Sequence, residues 1–171
     1  MRFFSLTALA LAGVATIAPA RTPAGKCPTC FPWISIETPP NPADSEARDA
    51  FLLVHVSIRG VPADLPVSGH AEGVVSGARK SVPLAFTRTS KDGVYALRRS
   101  WPDGGPWVLV IDVRPGAQAT TALVDVSSDG QITAIKVPTR EAGGIRYPVA
   151  VSSGDVENEL SAISHQAPAG N

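Results

Sequence analysis

Methionine, cysteine and histidine are scarce in this chain, and their scarcity narrows its chemistry before any pattern is read. The 171 residues hold one methionine, Met1, two cysteines, Cys27 and Cys30, and three histidines, His55, His70 and His165. With no methionine in the body of the chain, copper ligation through thioethers is excluded. An excess of charge of one sign is also missing: 15 basic side chains face 15 acidic ones. Binding to a phosphate backbone needs clustered positive excess, so nucleic acid is excluded as a partner. The chain has no Gly-x-Ser-x-Gly nucleophile elbow and no glycine loop of the phosphate-cradling kind. Beyond residue 20, no apolar run reaches the roughly 20 residues that span a bilayer.

What is present begins with an address. Arg2 precedes an apolar run from Phe3 to Ile17, and Ala18-Pro19-Ala20 follows. One positive charge, a short hydrophobic stretch and small residues at the −3 and −1 positions are the parts of a secretory signal, cleaved after Ala20. A retained anchor is the alternative, but the run is short and diluted by Ala, Gly and Thr. The expected protein is secreted or periplasmic, with no transmembrane helix after signal removal. The expected division is a signal peptide over 1–20, an irregular segment over 21–49 that holds the Cys-x-x-Cys pair and one short strand at 33–37, a β domain over 50–138, and a tail over 139–171.

Within 50–138 the segments 50–59, 69–75, 81–87, 94–99, 107–113, 120–126 and 131–137 are rich in Val, Ile, Thr or aromatics and are separated by turn residues. Such spacing predicts an all-β fold, a sandwich or barrel. Lys91-Asp92-Gly93 and Ser128-Asp129-Gly130 predict hairpin turns between the segments they separate. Alternation places Leu52, Val54, Val56 and Ile58 on one face, Val82, Leu84 and Phe86 on another, and Trp107, Leu109, Ile111 and Val113 on a third, with Tyr95 and Leu97 joining the core. Pro83 predicts an edge strand, because it cannot donate to a ladder. In the tail, Gly143-Gly144 reads as flexible. Val156, Leu160 and Ile163 at helical spacing, with Ser152 and Asp155 as a capping box, predict a short C-terminal helix.

The run Asp92-Gly93-Val94-Tyr95-Ala96-Leu97, followed by Asp103-Gly104-Gly105-Pro106-Trp107 and the aliphatics to Val113, resembles bacterial extracytoplasmic immunoglobulin-like modules of the YtkA-like and FixH-like groups. With the strand spacing, the resemblance implies an immunoglobulin-like β-sandwich of about seven or eight strands, used as an accessory or binding unit, in some cases beside metal-handling or membrane complexes. FixH-like chains carry a retained membrane helix, from which this sequence departs. The resemblance maps no catalytic residue onto a position here.

Candidate chemistry is sparse. In an exported chain, Cys27-x-x-Cys30 reads first as a disulfide, whose four-residue loop removes only about 2 kcal/mol of unfolded-state entropy; redox exchange or metal use is the functional alternative. His70 and Glu72, two apart on one strand face, make a two-ligand metal clip that His55 is a candidate to complete; the plain alternative is solvent-facing strand residues. Arg79-Lys80, Arg88, Lys91 and Arg98-Arg99 trace a basic strip that reads more readily as a solvated face. Trp107 belongs in the core, whereas Trp101, ahead of Pro102 in a loop, is the candidate exposed contact aromatic.

The function read from these features is an exported, non-catalytic binding or accessory module. Its contact region is expected at loops 62–68 and 101–106, with Trp101, Asp103, Arg98 and Arg99 as binding residues and no cofactor. Its expected partner is another extracytoplasmic protein or a cell-envelope component. An extracytoplasmic redox or metal-handling protein built on Cys27 and Cys30 is the alternative.

Overall fold

The computed structural model describes residues 30–116 and 118–166. The signal-like segment and Cys27 lie outside the described residues. The fold is mostly β: two antiparallel sheets and one C-terminal helix.

Sheet A is built from β1 (Pro32–Glu37), β2 (Leu52–Ile58), β3 (Val61–Pro62), β6 (Phe86–Arg88) and β7 (Val94–Leu97), in the order β1-β2-β7-β6 with β3 beside β2. Sheet B is built from β4 (Val67–Val75), β5 (Ala78–Pro83), β8 (Trp107–Val113), β9 (Thr120–Val126) and β10 (Ile132–Lys136), in the order β10-β9-β8-β4-β5. The predicted alternation sets the contact between them. Leu52, Val54, Val56, Tyr95 and Leu97 of sheet A share one core with Trp107, Leu109, Ile111 and Val113 of sheet B, and Leu84 joins them, with Val82 and Phe86 packed against the cluster. Thr120 Oγ1 donates to the Pro32 carbonyl at 2.7 Å, a buried polar tie from sheet B to the edge of sheet A.

Lys91-Asp92-Gly93 joins β6 to β7 and Ser128-Asp129-Gly130 joins β9 to β10, both antiparallel as the turn chemistry requires. Pro83 lies on β5, an edge strand of sheet B. The expected single strand over 81–87 is instead two. Pro83 ends β5, Leu84 N–H still reaches the Gly69 carbonyl at 3.0 Å, and the chain then crosses to sheet A as β6. Between β1 and β2, successive three-residue turns over 41–50 carry Ala47 onto the outer face of sheet A, where it packs with Leu53, Val94 and Ala96.

The tail is more ordered than its composition predicts. Gly143 and Gly144, read as flexible, sit at φ of 60° and 75° and close a hairpin between β11 (Thr139–Ala142) and β12 (Ile145–Pro148). Paired positive φ is what a tight primed turn demands, and glycine adopts it without strain. Tyr147 of this hairpin stacks on Phe31 with ring centroids 4.8 Å apart.

The predicted helix is α1 (Ser153–Gln166). Its capping box forms as read: Asp155 N–H donates to Ser152 Oγ at 3.2 Å, and Ser152 N–H donates back to the Asp155 carboxylate at 2.8 Å. These bonds to the carboxylate hold Asp155 below the usual carboxylate range. Val156, Leu160 and Ile163 bury against Val108, Val110 and Leu123, so the helix covers the outer face of sheet B. Fully burying aliphatic side chains of this size is worth about 1.5–3 kcal/mol each. Val151 and Val156 flank the cap and both pack on that cluster, which fixes the angle at which the chain enters the helix. No helix among the described residues is long and apolar enough to cross a membrane.

Gly73 of β4 lies opposite Trp107 of β8, and a side chain there runs into the indole. Gly73→Ala is therefore expected to destabilise by about 1–3 kcal/mol through overpacking. Urea unfolding measures it; an unchanged midpoint counts against this packing of Trp107.

Candidate functional site

The outer face of sheet B carries an apolar strip under α1 with charged margins on both sides. Facing outward from β4 are His70 and Glu72, beside Val110 and Asp112 of β8; Arg79 approaches from β5 and Arg114 from the end of β8. With Ser152, Ser153 and Val156 at the start of α1 they line a cleft of about 210 Å³. Alternation dictates this set, because the residues between them, Ala71, Leu109 and Ile111, belong to the core between the sheets.

Every charge in the cleft is braced. Glu72 accepts from Arg79 Nε at 3.1 Å and lies 3.6 Å from His70 Nε2. Arg79 also pairs with Glu157 of α1. Asp112 accepts from Thr121 Oγ1 at 2.6 Å and from Arg114 at 3.3 Å, while Thr121 Oγ1 accepts from Val151 N–H. His70 keeps 42% of its side-chain surface exposed, against 12% for Glu72. The cleft thus offers an accessible imidazole above carboxylates that are held in place by arginines.

His55 is not part of it. It lies on sheet A, its Nε2 2.8 Å from Glu37 Oε2 of β1, so the three-residue metal set expected of His55, His70 and Glu72 is split between the two sheets. Among the described residues, no group of three or more His, Cys, Asp or Glu is arranged to hold a metal ion. Cys30 leads into β1, and its expected partner Cys27 lies outside the described residues.

The expected contact loops differ from the sequence reading. Trp101 is buried, 4% exposed, with its ring edge-on to Phe51 at 5.1 Å. Arg99 lies over that indole at 5.8 Å and pairs with Asp103 at 2.5 Å, so Arg99 and Asp103 roof Trp101. Proline in a loop marks a turn and says nothing about which way the preceding indole points. Arg98 is exposed and stands 4.0 Å from Asp49. Loops 62–68 and 101–106 do not form one region: Val67 pairs with Val113 at one end of sheet B, while Gly105 approaches the Val74 backbone at the other. Nine extended residues separate those ends by roughly 25–30 Å. The expected basic strip is divided likewise, with Arg79 on sheet B and Arg88, Lys91 and Arg98 at sheet A, and Arg88 and Lys91 paired to Asp64 and Asp44.

One charged residue escaped the sequence reading. Asp125, next to the last residue of β9, is 2% exposed. A lone acid within an aliphatic strand was the available signal, and strand alternation alone did not reveal that both faces of β9 are covered.

Trp101→Ala is expected to cost about 3–5 kcal/mol of stability, the usual range for emptying a buried aromatic site. Thermal and urea unfolding check this; a loss below about 0.5 kcal/mol, the range of ordinary surface substitutions, contradicts its burial. Compared with protein-family models, with curated proteins and with solved structures, the chain finds no match.

Proposed function

We propose that this chain is an exported, non-catalytic binding or accessory module on a β-sandwich of immunoglobulin-like order, and that it engages an extracytoplasmic protein or cell-envelope component at the His70–Glu72 cleft. The observation that carries the reading is the bracing of that cleft. Glu72 and Asp112 are each engaged by an arginine, and Asp112 also by Thr121, so they act as pre-oriented charges. Fixed polar groups around a small concavity suit recognition, in which orientation is supplied before the ligand arrives. The half-exposed imidazole of His70 is the group left to offer a donor or acceptor to a ligand.

Export rests on the signal-like first twenty residues, and the sandwich reading on two antiparallel sheets that share one core. With Trp101 buried, the cleft replaces loop 101–106 as the contact region. The Cys27–Cys30 pair fits this reading as a structural disulfide of the exported chain.

Two measurements test the proposal. Expressed in a bacterial host, the protein is expected in the extracytoplasmic fraction with Arg21 as its first residue and no titratable thiol before reduction; a cytoplasmic, uncleaved chain overturns the export reading. A benzophenone side chain at position 153, which lines the cleft and leaves His70 in place, is expected to give a discrete crosslinked adduct in that compartment, lost on Arg114→Glu and absent when the crosslinker replaces Val61. Equal adducts from positions 153 and 61 count against the cleft.

A further inference from the structure

The margin of α1 opposite the His70 cleft holds a cluster that the proposed function does not use. Asp125 of β9 faces Lys136 of β10 and Glu159 of α1. Lys136 Nζ donates to Asp125 Oδ2 at 3.1 Å and is also bonded to Glu159 Oε1. Asp125 Oδ1 is buried and finds no donor among the described residues. On β8 the residue opposite Asp125 is Val108, which carries no charge. Two carboxylates therefore share one ammonium beneath the helix, and half of one carboxylate has no partner.

A register shift builds the cluster. Between Ile132 and Ala134 the β9–β10 pairing slips by one residue. Ile132 pairs with Val126 on the core side, while Lys136 pairs with Leu123 on the side that α1 covers. Without the extra residue, strict alternation puts Lys136 on the same side as Ile132, away from Asp125.

We propose that Asp125, Lys136 and Glu159 form a proton-sensitive clasp that fastens α1 to sheet B more tightly at acidic pH, within the ordinary carboxylate range, than at neutral pH. With both carboxylates ionised, the cluster keeps one uncompensated negative charge in a poorly solvated place. One proton added to Asp125 leaves a single carboxylate facing a single ammonium. Burial raises Asp125 above its ordinary range, and its two neighbours pull in opposite senses, Lys136 lowering it and Glu159 raising it. A carboxyl raised in the docked state contributes stability at low pH, and that contribution is lost as pH rises through the raised value. The sign is the reverse of ordinary acid denaturation. Asp155 in the helix cap is held low, so the cap stays ionised across the same window.

Hydrogen exchange of the whole exported chain tests this, read as protection factors of α1 amides over 156–163 with β8 amides as reference. The expected result is a fall in α1 protection as pH rises from the ordinary carboxylate range to neutral, on the order of tenfold for each unit by which docking raises the proton affinity of Asp125. Asp125→Asn keeps the shape, removes the titration and is expected to leave α1 protection high and flat. His70 and His165 remain in that variant, so the difference from the wild-type profile reads Asp125 alone. Glu159→Gln, on the exposed side of the cluster, is expected to weaken the pH dependence if Asp125→Asn fails to fold. A flat wild-type profile, or an undiminished pH dependence in either variant, overturns the clasp.

Discussion

Two adjacent strands of sheet B have to be covered on both faces, and the rest of the molecule is arranged around that demand. Every residue of β9 is buried, and so is every residue of β8 except Asp112. One face of this pair meets sheet A through Leu109, Ile111, Val113, Ala122 and Val124; the other exposes Val108, Val110 and Leu123 until α1 lies across it. The dependence is mutual. An isolated helix of this length is marginal in water, so α1 persists because Val156, Leu160 and Ile163 are buried on the strands. Removing it bares an apolar strip at the centre of the sheet. The capping box at Ser152 and Asp155 and the flanking Val151 set where the helix starts, and hence where its apolar face lands.

Charge collects where that footprint ends. Alternation forces β9 to place Thr121, Leu123 and Asp125 on the helix side, and only Leu123 is apolar. Thr121 is satisfied locally, donating to Asp112 and accepting from Val151 N–H. Asp125 has no such neighbour within its own strand pair, so its counterion has to come from β10, and the bulge at that strand supplies Lys136. Breaking a buried ion pair by removing one partner costs more than the pair contributes, which explains why the bulge and the acid belong together. The His70 cleft and the Asp125 cluster are thus the two margins of one helix, joined to it by Glu157 and Glu159 respectively.

Much of this fold was legible in the sequence, and the unreadable parts share a cause. Strict alternation over 52–58 and 107–113, together with Asp-Gly turns, was enough to place the core faces and both hairpins. Helical spacing of Val156, Leu160 and Ile163 with Ser152 and Asp155 gave the helix and its cap. Pattern reading failed where a residue's environment is set by distant chain. Segment 81–87 keeps its alternation through Pro83, yet the chain changes sheet there, because a strand's period carries no information about its partner. Gly143-Gly144 has the same composition in a flexible link and in a primed hairpin turn. Trp101 precedes a proline in a glycine-rich loop, and it is a core residue through distant chain, including Phe51 fifty residues earlier. For the site, His70 and Glu72 were readable as face neighbours, whereas Asp112, Arg114 and Arg79 join them through strand pairing that the sequence does not display.

The balanced charge of the chain acquires a specific meaning in this arrangement. Arg79, Arg88, Lys91, Arg99, Arg114 and Lys136 each stand within ion-pair distance of an acid, several of them distant in sequence. Exposed pairs of this kind add little to stability, with a median of about 0–1 kcal/mol. Their larger effect is on the field outside the protein: a cation that is locally neutralised projects little potential beyond the Debye length, so these six contribute little to steering charged partners from afar. The proposed binding module would have to recognise its partner at contact range, through shape and placed hydrogen bonds. That requirement favours a cleft whose polar groups are already oriented over a loop whose side chains must be ordered on binding, since each rotamer-rich side chain immobilised at an interface costs about 0.5–1.5 kcal/mol. In the His70 cleft the ordering of Glu72, Asp112 and Arg79 is accomplished by the fold itself.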